Sequence, residues 1–336
     1  MLAGVNDTLG VEPLVSIVVT TYNSARYVVE TLDSARAQSW ANIELIISDD
    51  CSTDNTLQVC EEWVSKNKQR FVRTEMLTVP KNTGVSANCN RCIKAARAEW
   101  VKMIAGDDIL FPNCVQDNME FQFVTPGANV IFSQVKVYQN EFLPENLVET
   151  DPDKFPNNLM DPVFSATDQY KLLLLSDRIN YTPSYFFRKN TILNVGGYDE
   201  GNRLVEDYPM WLKLTKAGNR LSYFHKPTVG YRRHQLASNN KSEYGLFKPL
   251  AIKMGAVKDF YVFPYLPWDI AYSEKHILLT SKIFQRLGLN KKTQACVFLY
   301  RISTVYLNPF RYFIFFKREV LGLGKTNIFY KDFSKS

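Results

Sequence analysis

The sequence predicts an α/β chain: a Rossmann-like, mostly parallel central sheet flanked by helices, followed by a helical C-terminal region. Three observations carry that expectation. Short β-branched runs alternate with stretches whose apolar residues recur at helical spacing, starting at Leu14. Each of the early runs ends on polar or acidic residues, and no Gly-x-Gly-x-x-Gly follows the first of them, which argues against a dinucleotide-binding dehydrogenase. From about residue 240 the strand-like texture gives way to helical segments.

Residues 1–12 show no clear pattern and read as a loose arm. After Pro13, the run Leu14-Val-Ser-Ile-Val-Val19 fits a central strand, because β-branched side chains pack well on a pleated surface covered on both faces. It ends in Thr20-Thr-Tyr-Asn-Ser24, and Ser24 can cap a helix carrying Val28, Val29, Leu32 and Ala35. Ile43-Glu-Leu-Ile-Ile47 is the second strand. It runs into Ser48-Asp-Asp-Cys-Ser-Thr-Asp54, where Thr53 or Asp54 caps a helix bearing Leu57, Val59, Cys60, Trp63 and Val64. A third strand is expected over 71–79, then a turn at Lys81-Asn-Thr-Gly-Val-Ser86 into a helix over 87–98.

Trp100-Val-Lys-Met-Ile-Ala-Gly-Asp-Asp-Ile-Leu-Phe111 is the most informative stretch. A buried apolar strand passes through Gly106 into two adjacent carboxylates, Asp107 and Asp108. Two acids at the carboxyl end of such a strand are expensive unless a positive partner meets them, and open α/β sheets bind ligands at that edge. A hard divalent cation shared with phosphate oxygens, Mg²⁺ or Mn²⁺, suits them chemically. An Asp-capped turn is the plainer reading of an isolated pair. Beyond it, Asn129–Ser133 reads as a strand, 140–168 as a long Pro/Asn/Asp-rich loop, and Tyr181–Arg188 as an aromatic strand. Gly196-Gly-Tyr-Asp-Glu200 makes a turn. Glu206-Asp207 opens a helix in which Pro209 is tolerated, and Leu221–Tyr231 is a strand leading to Arg232-Arg-His234.

Of the 336 residues 46% are hydrophobic, enough for a full core in one large or two medium domains. No secretory opening and no apolar run of roughly 18 residues is seen, and the six scattered cysteines suit a reducing, cytoplasmic setting. Cys89 and Cys92 are best read as buried residues one helical turn apart. The net charge of +6 is uneven: Ala271–Ser336 holds twelve Lys/Arg against three acids, a balance of +9, and the rest is slightly acidic.

The ordered series Val15-Ser-Ile-Val-Val-Thr-Thr-Tyr-Asn23, Ile47-Ser-Asp-Asp-Cys-Ser-Thr-Asp54, Asn82-Thr-Gly-Val-Ser86, Ala105-Gly-Asp-Asp108, Gly196-Gly-Tyr-Asp-Glu200 and Glu206-Asp207 before Trp211 resembles the family-2 inverting glycosyltransferases. The resemblance covers about 13–235 and implies a GT-A catalytic domain there, with a basic, aromatic helical region over 240–336. It implies a nucleotide-sugar donor, UDP-linked by preference, and transfer to a hydroxyl of a glycan or lipid-linked glycan acceptor in cell-surface polysaccharide synthesis.

By that resemblance Thr20, Tyr22 and Asn23 end a nucleotide-binding strand, and Tyr22 can stack on a base. Asp49 or Asp50 can accept the imide N–H of uracil, near Asn82 and Gly84. Asp107 is the expected metal ligand for Mn²⁺ or Mg²⁺, with Asp108 behind it or on the sugar and His234 as a further ligand. Arg232 and Arg233 would offset the diphosphate's charge. Asp207 would be the general base, with Glu206 orienting it or meeting the acceptor; ordinary helix N-terminal charge is the plainer account of that pair. The sequence departs from the family pattern in two places. Ala105 stands where an acid is common, and Cys89 where an Arg is frequent, so the nucleotide contact of that Arg is either missing or displaced onto Lys81 or Arg91.

A non-catalytic sugar-nucleotide-binding or scaffold subunit is the alternative, favoured by Ala105. Six aromatics between Tyr306 and Phe316, among basic residues, fit a helix on an anionic membrane surface as well as one packed on the domain; the first reading places a cytoplasmic chain peripherally on the inner face of the cytoplasmic membrane, the second leaves it cytoplasmic. Nothing besides the basic tail supports nucleic-acid binding.

Overall fold

The computed structural model describes residues 12–155, 159–202, 205–234 and 245–331. Most of the expected N-terminal arm, part of the 140–168 stretch, the boundary between 235 and 240 and the last five residues lie outside them. Two compact units emerge. One is built from residues up to 166 and from 179 to 235, the other from 167 to 178 and from 236 onward.

The first unit opens with β1 (Val15–Thr21), α1 (Val28–Arg36), β2 (Ile43–Asp49), α2 (Thr56–Asn67), β3 (Arg73–Thr78), α3 (Val85–Ala95) and β4 (Trp100–Ala105). These four strands pair in parallel in the order β3-β2-β1-β4, as the alternating pattern predicts. Ile17, Val18, Val19, Leu45, Ile46 and Val101 are fully buried, the expected fate of doubly covered strands. Cys89 and Cys92 are buried on α3 one turn apart, as read from the sequence.

The sheet then changes direction. β5 (Ile109–Leu110), α4 (Cys114–Val124), β6 (Val130–Gln139), β7 (Leu147–Asp151), β8 (Phe186–Arg188), α6 (Lys189–Asn194), α7 (Asp207–Lys216) and β9 (Leu221–Arg233) complete it, with α5 (Ala166–Leu175) between β7 and β8. The path continues β4-β8-β6-β9-β5, with β7 on the side of β6. β8 is antiparallel to both neighbours, and β9 runs parallel to β6. Two expectations change here. The 140–168 stretch contains β7, and of the aromatic segment 181–188 only the last three residues are strand. Pro183, which has no N–H for a ladder, sits in a 3₁₀ turn over Thr182–Ser184.

In the second unit, α5 from residue 167 joins α8 (Pro249–Tyr261), α9 (Trp268–Arg286), α10 (Gln294–Arg301) and α11 (Pro309–Phe315). α9 is its spine. Its buried Asp269 accepts from Tyr330 Oη (3.0 Å) and lies 3.1 Å from Lys317 Nζ, so the buried carboxylate is paired. Asn308 Nδ2 donates to Ser273 on the same helix. No helix of the described residues is long and apolar enough to cross a membrane.

Candidate active site

The carboxyl ends of β1, β2 and β4 form one edge, since the register pairs Thr21 with Asp49 and Thr20 with Ala105. That edge gathers most of the residues singled out by sequence. At the end of β1, Tyr22 is half exposed and presents a ring to solvent. Asn23 takes a left-handed φ of 52°, and its side-chain oxygen accepts from Thr53 N (2.8 Å), tying the first loop to the second. The backbone of Thr20 accepts from Gly106 N at 2.9 Å. A Cβ at Gly106 would come within 2.8 Å of the Thr21 side chain, so the turn into the two acids needs a residue with no side chain.

Asp49 and Asp50 are both buried and differ in partners. Asp49 accepts from Thr21 Oγ1 (2.9 Å), Ser52 N (2.8 Å) and Ser52 Oγ (2.5 Å). Asp50 reaches to the following strand–helix turn, accepting from Thr83 N (3.0 Å), Gly84 N (2.7 Å), Thr83 Oγ1 (2.5 Å) and Arg91 Nη2 (3.1 Å). Burial alone would raise the Asp50 carboxyl; these donors outweigh it and hold it below the ordinary range. Asn82 donates to the Asp50 carbonyl at 3.3 Å. Arg91 also meets Ser48 Oγ (2.9 Å) and Asn88 Oδ1 (2.9 Å), so the guanidinium stands across the ends of β2 and α3. Beside this clamp opens a cleft of about 670 Å³, lined by Lys81, Asn82, Thr83, Arg91, Lys94 and Glu200. Asn90 on α3 donates to Tyr198 O and Glu200 Oε1 (2.9 and 2.8 Å) and so fixes the Gly-Gly-Tyr-Asp-Glu turn whose Glu200 lines the cleft.

At the end of β4, Asp107 and Asp108 turn opposite ways. Asp108 is buried; its Oδ1 accepts from Arg232 N at 2.8 Å, and burial followed by the charge of Asp107 pushes its carboxyl well above the usual range. Asp107 is about one-third exposed, and its Oδ2 lies 3.1 Å from His234 Nε2. Arg232, 1% exposed, donates to the carbonyls of Asp107 (2.9 Å) and Asn140 and to Glu30 Oε2 (3.0 Å), between the rings of Tyr27 and Phe142. It presents no surface to a ligand and holds the acidic turn in place. Arg233 is paired with Glu149 on β7.

Among the described residues no cluster of three or more His, Cys, Asp or Glu could hold a metal by itself. The Asp107–His234 pair nonetheless fits two neighbouring ligands. Donors about 2.1 Å from an octahedral ion and at right angles to each other stand about 3 Å apart, and these two stand at 3.1 Å. The remaining positions would fall to phosphate oxygens and water. Ala105 supplies no third carboxylate.

Glu206 and Asp207 begin α7 and are half-buried. Asp207 Oδ2 accepts from Thr182 Oγ1 (3.0 Å), and Oδ1 from Tyr208 N (2.7 Å). Thr182 connects this pair to the same sheet edge. β4 and β8 are antiparallel with Lys102 opposite Phe186, so the turn before β8 lies beside the carboxyl end of β4, and Lys102 Nζ donates to Pro183 O at 2.6 Å. Burial and then the charge of Asp207 push the Glu206 carboxyl up to about 7. Burial raises Asp207 too, opposed by the two donors from Thr182 and Tyr208, which favour its charged form. Burial thus raises both of these adjacent carboxyls, and on Asp207 the hydrogen bonds from Thr182 Oγ1 and Tyr208 N oppose that rise. Thr182, Glu30 and Tyr27 carried no local signal; each acts on a residue far away in the chain.

Residues 16–188 match the family model described as glycosyl transferase family 2. An uncharacterized glycosyltransferase of Rickettsia typhi is 25% identical over 251 residues, 73% of this chain and 72% of that protein. The poly(ribitol-phosphate) beta-N-acetylglucosaminyltransferase TarS of Staphylococcus aureus is 26% identical over 214 residues; these cover 62% of this chain, but the match spans only 36% of that protein's length. Among solved structures, S. aureus TarS 1-349 in complex with UDP-GlcNAc superposes with a TM-score of 0.55 at 19% identity, covering 94% of this chain and 89% of that one, a likeness of fold.

Proposed function

The chain belongs to glycosyl transferase family 2, and from that premise we propose that it moves a sugar from a nucleoside diphosphate sugar, UDP-linked by preference, to a hydroxyl of a glycan acceptor with inversion at the anomeric carbon. The acceptor we favour is a surface-polysaccharide glycan, free or lipid-linked. The observation that carries this reading is the shared edge: the Asp50–Arg91 clamp and its cleft, the Asp107–His234 turn, and Asp207 held by Thr182 all stand at the carboxyl ends of β2 and β4 or beside them. Ligands of open α/β sheets bind there.

In this reading Tyr22 stacks on the base. Asp50 shapes the Asn82–Gly84 turn around it, and Arg91 takes over the cationic role that Cys89, buried on α3, cannot fill. A divalent cation held by Asp107 and His234 would supply positive charge to the departing diphosphate. Arg232 and Asp108 fix the turn that presents Asp107. Asp207, whose charged form is favoured by the hydrogen bonds from Thr182 Oγ1 and Tyr208 N, accepts the proton of the attacking acceptor hydroxyl. Glu206, its carboxyl raised to about 7, can in its protonated form donate a hydrogen bond to acceptor or donor sugar. One base acting on the face opposite the leaving group gives a single displacement and inversion.

Asp207→Asn keeps the shape and removes the base. We expect kcat to fall by about 10²–10⁴-fold, with the Kd for UDP, measured calorimetrically, unchanged within several-fold. An equal loss of both would deny Asp207 its role. Ala105 is the feature that favours a non-catalytic sugar-nucleotide-binding subunit. UDP binding without transfer or donor hydrolysis, in the wild type with Mn²⁺ present, would select that alternative.

A further inference from the structure

The helical unit shows an outward surface of unusual composition. On α9, Trp268, Tyr272, Lys275, Leu279, Ile283 and Arg286 follow one another three or four residues apart and are all exposed, so a full stripe of the helix faces water with aromatic, aliphatic and basic residues. The stripe continues onto α11. Tyr272 stacks on Phe310 with centroids 5.3 Å apart, and Trp268 meets Phe313 at 5.5 Å. α11 buries none of its seven residues, although four of them are aromatic. Phe315 and the next residue, Phe316, are 56% and 48% exposed. A short helix gains its stability from packing an apolar face, and contiguous exposed apolar surface of this kind marks a contact site.

Charge selects the occupant. Lys282, Arg286, Lys291, Lys292, Arg301 and Arg311 are exposed, and none has an ion pair among the described residues. Between 291 and 331 eight Lys/Arg face a single acid, Glu319. A second copy of the chain would bring this positive surface against itself, which like charges oppose. An anionic lipid surface accepts both components, with aromatics at the headgroup level and cations on phosphates. No helix of the described residues is long and apolar enough to span a bilayer, and an exposed amphipathic face of this kind suits a position in the interface plane.

We propose that α9 and α11 form a bilayer-docking face, with Trp268, Tyr272, Phe313, Phe315 and Phe316 entering the headgroup boundary and Arg311, Lys282 and Arg286 meeting anionic headgroups. The proposal is independent of the transfer chemistry, since none of these residues belongs to the nucleotide or acid sites.

The full chain is tested by co-sedimentation with vesicles of phosphatidylcholine alone or mixed with phosphatidylglycerol, at low and high salt. Wild type should bind the mixed vesicles and be released by salt. Lys282→Glu with Arg311→Glu should weaken binding at least about tenfold. Phe315→Ser with Phe316→Ser should weaken it at low salt too, with the thermal midpoints and UDP affinity unchanged in both. The proposal is overturned if wild type ignores the mixed vesicles, or if both double variants bind as wild type does. It is also overturned if ultracentrifugation shows a dimer that the Phe variant dissociates while no vesicle is bound.

Discussion

Thr182 illustrates how one side chain can set the chemistry of another. Its hydroxyl is one of two donors to Asp207, whose carboxyl burial pushes upward, and a donor to the charged form favours ionisation. Thr182→Val keeps the shape and removes that donor, so the Asp207 pKa should rise further. The sign follows directly: a base must be deprotonated, so the acid limb of the kcat–pH profile moves to higher pH, by about one unit, and kcat below the limb falls about tenfold. The donor KM should change little, and the alkaline plateau should stay close to wild type. Thr182→Ser restores the hydroxyl and should restore the profile. A uniform loss at every pH, without rescue by Ser, would mean that Thr182 only supports the fold. Of this arrangement the sequence showed Glu206-Asp207 alone. Thr182 lies 25 residues earlier, in a segment that reads as strand, and nothing local distinguishes its hydroxyl from any other.

At the scale of elements, the loops after β1, β2 and β3 are held together chiefly by carboxylates. Asp50 receives both backbone N–H groups of Thr83-Gly84, the Thr83 hydroxyl and Arg91. Asp50→Ala leaves the Thr83 and Gly84 N–H groups without their acceptor and a partly buried guanidinium without its carboxylate, which should cost about 3 kcal/mol. A shift in the urea midpoint of the sheet-bearing unit's own transition, at unchanged m, would measure it, and a loss below about 1 kcal/mol would show that the clamp is not what positions the turn. The parallel half of the sheet was legible because β1, β2 and β4 are doubly buried and declare themselves by composition. The antiparallel half was not. β7 pairs with β6 through its backbone while its first three side chains are exposed, so no alternation marks it within a Pro- and Asn-rich stretch. Strand direction is likewise silent, because Phe186 and Phe187 are buried just as a parallel strand would require. Arg232 read as a free cation from its neighbours Arg233 and His234. Its real partners, Asp107, Asn140 and Glu30, arrive from three separate elements.

The molecule as a whole is two compact units with separate cores, so a single two-state unfolding transition is not the natural expectation. Every residue assigned to nucleotide, metal or acid chemistry lies in the unit that holds the sheet, and the excess positive charge lies in the other. A ligand that binds only the folded first unit stabilises only that unit, by about 2.7 kcal/mol at a concentration of roughly 100 times its Kd. Differential scanning calorimetry of the full chain with UDP and Mn²⁺ should therefore move one transition upward and leave the other where it is. Chelating the metal should reverse most of the shift, and Asp107→Ala should make the UDP-induced shift insensitive to Mn²⁺, because His234 would then be the only protein ligand left. Two transitions rising together would show that the units unfold as one. A shift that ignores both chelation and Asp107→Ala would mean that UDP is held without the cation, and the positive charge for the leaving diphosphate would then have to come from Arg91, Lys81 and Lys94 at the neighbouring cleft.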